Sequence, residues 1–142
     1  MIQLTPEHRQ EITAHGERDY PHECCGFLIG ELGPSGVKLV SETVALSNAR
    51  EESAQRNRFL INPDEFVQGE RYAAAKGLDV IGFYHSHPDH PAVPSLYDLE
   101  HAWPVYSYVI VAVDGGRAGD LRSWKMQEDR GGFSEEEILG GI

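Results

Sequence analysis

Residues 79–98 read DVIGFYHSHPDHPAVPSLYD, and the way this stretch folds constrains everything around it. Asp79 to His87 is apolar, rich in β-branched and aromatic residues and closed by proline, which predicts a strand. Residues two apart on a strand point to one face, so His85 and His87 are expected on the face of Ile81 and Phe83. That face is apolar through the strand body and turns to imidazole at its C-terminal end, which sets a metal site at the rim of a core. Pro94 then leads into a short predicted helix, Ser95 to Ala102, with Ser95 at the N-cap and Asp98 three residues on. Pro88, Pro91 and Pro94 lower the entropy lost in holding the intervening loop. Imidazole and carboxylate are zinc ligands, and a catalytic zinc site has three protein ligands and one open position. His85, His87 and Asp98 are therefore the candidate ligands. Each half of the set has an ordinary reading: Ser-x-x-Asp is also a capping box, and His-x-His alone is a weak signal. Their order and close spacing are what point to a metal.

Upstream, Thr5-Pro6-Glu7 marks a helix start, expected to run to about Asp19 before Pro21. CCGFLIG, Cys24 to Gly30, reads as a buried strand. The Gly33 to Gly36 turn joins it to a second strand, Val37 to Ser47, as a hairpin. Asn48 to Arg58 is polar and aperiodic and reads as a loop suited to contacting substrate. Phe59 to Ile61 reads as a short strand, and Asn62-Pro63-Asp64-Glu65 starts a helix ending near Gly77. Val105 to Val113 and Leu121 to Met126 are the remaining predicted strands. The order implies an α/β domain with a mixed sheet flanked by helices, over residues 1–126. Residues 127–142, charged and glycine-rich and ending in Gly140-Gly141-Ile142, are expected to form a flexible tail.

The chain has 142 residues and is 40% hydrophobic, enough for one domain with a real core. Its net charge of −11 argues against nucleic acid and anionic membrane surfaces as partners. No stretch approaches the ~20 apolar residues of a membrane span, and the N-terminus lacks a signal-peptide core, so a cytoplasmic protein is expected. The two cysteines, Cys24 and Cys25, are adjacent and poorly placed to bridge each other. They read as small residues alternating across a strand, or as a thiol near the site, since Cys24 follows Glu23. The other histidines, His8, His15, His22, His90 and His101, read as solvated or structural. Glu23, at the mouth of the CCGFLIG strand, is the candidate general base, although its position alone fits a surface glutamate in a helix-to-strand turn better.

Glu23 followed by CCGFLIG, His85-Ser86-His87-Pro88 and Pro94-Ser95-Leu96-Tyr97-Asp98 together resemble the JAMM (MPN-plus) metalloprotease family. Asn48, Phe59 to Pro63 and Ile81 to Tyr84 look like its compact prokaryotic branch. The resemblance spans about Leu4 to Met126. It implies a cytidine-deaminase-like layered sandwich and one zinc ion per chain, on His85, His87 and Asp98. It also implies Glu23 as general base and then acid, and Ser95 as a hydrogen-bond donor to the oxyanion. The implied activity is hydrolysis of a peptide or isopeptide bond after the C-terminal Gly-Gly of a ubiquitin-like or sulfur-carrier protein, by a metal-activated water. The alternative is a non-catalytic MPN interaction module, which usually lacks some of these ligands. A nucleobase deaminase would need a Pro-Cys-x-x-Cys pair, and the sequence has none.

Overall fold

The computed structural model describes residues 1–46, 63–129 and 131–140. The expected loop Asn48 to Arg58, the strand Phe59 to Ile61 and the cap Asn62 lie outside them. In chain order the elements are β1 (Ile2–Gln3), α1 (Pro6–Asp19), β2 (Cys25–Leu32), a 3-10 turn (Pro34–Gly36) and β3 (Lys38–Leu46). They continue with α2 (Pro63–Ala75), β4 (Asp79–Pro88), α3 (Leu96–His101), β5 (Ser107–Asp114), β6 (Arg117–Met126), β7 (Phe133–Glu136) and β8 (Ile138–Leu139).

Among the described residues the strands form one sheet in the order β7-β6-β5-β4-β2-β3-β1-β8. β2 pairs antiparallel with both β3 and β4, and β4 runs parallel to β5, with α3 in the crossover between them. β1 is parallel to β3 and β8, while β5–β6 and β6–β7 are antiparallel. The fold is thus the mixed α/β sheet with flanking helices that the residue pattern predicts.

Helix α1 begins as its sequence dictates. Thr5 Oγ1 accepts from the His8 N–H at 3.1 Å, and His8 Nδ1 accepts from the Thr5 N–H at 3.3 Å. Histidine here takes the place that Glu or Gln holds in the usual capping box. On one face of the sheet Ile12 of α1 packs with Leu4, Leu28, Tyr84, Val109, Val111 and Val113. On the other, α2 brings Phe66 and Ala73 against Phe27, Ile29, Phe83 and Tyr108. A Leu, Ile, Val or Phe side chain fully buried in this way contributes about 1.5–3 kcal/mol. Glycines let both helices close in. A Cβ at Gly16 of α1 would lie 3.0 Å from Val113 Cγ2, and one at Gly69 of α2 would lie 2.3 Å from the Phe27 ring.

Two expectations need correction. The stretch expected to be a flexible tail contains two paired strands: β7 extends the sheet beside β6, and β8 pairs with β1 at the other end of the strand order. Phe133 packs edge-on against Tyr108, and the Glu136 carboxylate accepts from the Ser123 hydroxyl at 2.7 Å and lies 3.3 Å from the Met1 amino group. The charges that made this stretch look solvated are those expected on edge strands. Secondly, Ile81 does not share the face of Phe83. The β2–β4 register runs Leu28↔Gly82 and then Ile29↔Val80, so Ile81 is an extra residue on β4. The bulge turns Ile81 toward the α1 side with Tyr84 and leaves Val80 beside Phe83.

Candidate metal centre

Past the bulge, β4 alternates regularly and ends in His85 and His87, which are 1% and 7% exposed. Their Nε2 atoms lie 3.2 Å apart. Asp98, in the first turn of α3, brings its Oδ2 to 3.3 Å from His85 Nε2 and 3.1 Å from His87 Nε2. The α3 cap aims this carboxylate. Ser95 N donates to Asp98 Oδ2 at 2.8 Å, and Asp98 N donates to Ser95 Oγ at 3.1 Å. The capping box forms as that reading of Ser-x-x-Asp expects, and its carboxylate is the one that faces the imidazoles.

Glu23 reaches the same place by strand register. Cys25 pairs with His85, and continuing that pairing outward sets Glu23 opposite His87 on the imidazole face. Glu23 is 4% exposed, and one oxygen of its carboxylate lies within 4.8 Å of ligand atoms of both His85 and His87. The structure therefore brings together Glu23, His85, His87, Asp98 and Ser95, all five candidate residues.

The arrangement fits a tetrahedral metal. His87 Nδ1 lies 2.8 Å from the Pro91 carbonyl, which can only accept, so Nδ1 carries the proton and the Nε2 lone pair faces inward. That lone pair, the second imidazole and a carboxylate oxygen converge in a buried space, an arrangement that a cation between them would satisfy. N and O ligands at about 2.0–2.1 Å from a tetrahedral ion stand about 3.3–3.4 Å apart, close to the 3.1–3.3 Å found here. Burial holds the His85 imidazole below its ordinary pKa against the pull of Asp98, which favours the neutral, ligating form. Burial also opposes the Asp98 charge, but protons on the facing imidazoles, His85 first, together with the Ser95 N–H, would outweigh it and hold the carboxyl far below the usual carboxylate range; a cation in their place acts in the same sense.

The profile of the prokaryotic homologs of the JAB domain, Prok-JAB, matches residues 5–127. The chain belongs to the Prok-JAB family. It is 35% identical over 119 residues to a protein named desampylase from Haloferax volcanii, covering 80% of this chain and 82% of that protein. A Thermus thermophilus protein named probable TtuB-protein conjugate cleaving protease is 32% identical over 110 residues, 77% of this chain and 68% of that one. The solution structure of a Desulfitobacterium hafniense protein superposes with a TM-score of 0.84 at 30% identity, covering 98% of this chain and 92% of that chain.

In this Prok-JAB domain the remaining histidines with described side chains have other roles. His8 caps α1, and its Nε2 lies 3.2 Å from the Ser41 carbonyl oxygen. His15 is buried, with Nδ1 2.7 Å from the Tyr84 hydroxyl and Nε2 3.2 Å from Asp19, and burial pushes its pKa down. His90 is exposed beyond the strand end, and His22 is half-buried. Both cysteines are fully buried, and burial pushes the Cys24 thiol up to about 12, so neither offers a thiolate near neutrality. The Pro91 carbonyl and the register of Glu23 against His87 were not predicted from sequence, since no local pattern encodes either.

Proposed function

We propose that this chain is a zinc-dependent metallopeptidase that hydrolyses an amide bond after the C-terminal Gly-Gly of a ubiquitin-like or sulfur-carrier protein. The convergence of His85 Nε2, His87 Nε2 and Asp98 Oδ2 at 3.1–3.3 Å carries the proposal, since these atoms match the ligand spacing of one tetrahedral zinc per chain. Bound there, zinc supplies a Lewis acid that polarises the scissile carbonyl and acidifies water. Glu23, buried beside both imidazoles, takes the proton from the attacking water and hands it to the leaving amine. Ser95 is exposed, and its Oγ accepts from the Asp98 N–H, which leaves its own O–H to donate to the oxyanion of the tetrahedral intermediate.

The substrate class is supported by the relatives named desampylase and conjugate cleaving protease. A Gly-Gly tail suits a narrow approach to a recessed site, because no side chain has to be accommodated. Asn48 to Arg58 is the segment assigned to substrate contact; its deletion should slow cleavage, and an unchanged rate would remove that assignment. Among the described residues no helix is long and apolar enough to cross a membrane, and a cytoplasmic location is proposed. The test is to incubate the zinc-loaded chain with Gly-Gly carriers bearing further residues, in peptide or isopeptide linkage, and read the products by mass. Release of everything beyond Gly-Gly is expected. Intact carriers after incubation with fully zinc-loaded protein would contradict the proposal.

A further inference from the structure

Between the two histidines, Ser86 is fully buried and points to the opposite face of β4. The β2–β4 register sets it directly across from Cys24, one residue after Glu23. Ser86 N donates to the Cys24 carbonyl at 3.1 Å, as a regular antiparallel pair requires. The return bond is different. Cys24 N–H donates at 2.8 Å to Ser86 Oγ, where a regular pair would use the Ser86 carbonyl. A side-chain oxygen thus ends the ladder, at the point where the chain turns out toward Glu23.

We propose that Ser86 is a positioning residue: its hydroxyl holds the Cys24 N–H and thereby fixes the carboxylate of Glu23 over the face that carries His85 and His87. This rests on the catalytic role proposed above for Glu23. One residue sits between the two candidate ligands and clamps the backbone that presents the base, so the base and the ligands share a single rigid frame. Helix α1 packs against this side chain: a Cβ at Gly16 would lie 3.5 Å from Ser86 Cβ. The same segment is fastened at its other end. Tyr20 donates to Asp89 Oδ2 at 2.7 Å, and Asp89 Oδ1 accepts from Gly115 N at 2.9 Å. Tyr20 precedes Glu23 by three residues and Asp89 follows His87 by two, so the Glu23 turn is tied at one end to β4 and at the other to the residue that follows it.

The test compares Ser86→Ala and Ser86→Thr with the wild type, and repeats Ser86→Ala in a Glu23→Gln background. Amide hydrogen exchange at Cys24 should quicken at least about tenfold in Ser86→Ala, whose buried N–H has lost its acceptor, and return toward the wild-type rate in Ser86→Thr. Small displacements of a reacting group cost up to about 10²-fold. The kcat of Ser86→Ala should accordingly fall at least about tenfold, with KM and zinc content unchanged and Thr restoring most of the loss. In the Glu23→Gln background Ser86→Ala should lower kcat no further, because it acts through Glu23. Unchanged Cys24 exchange in Ser86→Ala overturns the clamp. A kcat loss that persists undiminished without the Glu23 carboxylate, or that comes with loss of zinc, overturns the positioning role. A zinc-loaded wild type that cleaves no carrier counts against the functional reading instead, and the exchange result stands apart from it.

Discussion

The Nε2 atoms of His85 and His87 and Oδ2 of Asp98 form a triangle with edges of 3.1–3.3 Å, and Glu23 stands beside it with its carboxylate buried. The proposed division of labour between the two carboxylates rests on their anchoring. Asp98 is held by the Ser95 N–H with an oxygen already against both imidazoles, whereas Glu23 comes in along a strand end. Glu23→Gln keeps the shape and removes the proton acceptor, so turnover should fall by about 10²–10⁴-fold while zinc stays bound. Steady-state assay beside metal analysis checks this; normal cleavage by Glu23→Gln would remove it from the proton-transfer role. Much of this was legible in the sequence. His85 and His87 declare themselves by their chemistry and their spacing of two, and Asp98 by its place after a proline and an N-cap. The setting of Glu23 was not legible, because it depends on which residue of β2 lies opposite His87, a cross-strand fact.

At the scale of elements, the site stands on three pieces whose starts and stops are locally encoded. They are β4, the loop with Pro91 and Pro94 and the capped start of α3. Helix α2 presses on the same face through Phe66, whose ring lies 6.2 Å from Phe27 and 5.9 Å from Phe83. Its approach depends on Gly69. Gly69→Ala gains about 1 kcal/mol in helix propensity, yet its Cβ would fall 2.3 Å from the fully buried Phe27 ring. Overpacking of this kind costs about 1–3 kcal/mol, so the variant should be less stable overall. A lower urea midpoint checks this; an equal or higher one would show that α2 can shift freely. The bulge at Ile81 escaped the sequence because strand alternation assumes a regular ladder, and Ile81 is apolar enough for either face.

Across the whole molecule, the chain ends close the sheet edges. β8 covers β1, which in turn covers β3, while β7 extends the far side and carries Phe133 over Tyr108. Strands of four and two residues, set around Glu135, Glu136 and Glu137, give no apolar run long enough to detect, so their pairing becomes visible only in three dimensions. Removing residues 128–142 should lower the melting temperature by roughly 5–10 °C, given about 2–4 °C per kcal/mol for a chain of this size. Zinc content per folded chain should be unaffected, since none of the proposed ligands is removed. An unchanged melting temperature would mean that these strands add nothing to the fold.

The central claim is that Asp98, with His85 and His87, completes the metal site, and that Glu23 does not. Native mass spectrometry of the wild type, Asp98→Ala and Glu23→Gln after zinc loading tests it most directly. One zinc ion per chain is predicted for the wild type and Glu23→Gln, and none for a folded Asp98→Ala. Zinc retained by Asp98→Ala and lost from Glu23→Gln would instead make Glu23 the third ligand and contradict the assignment.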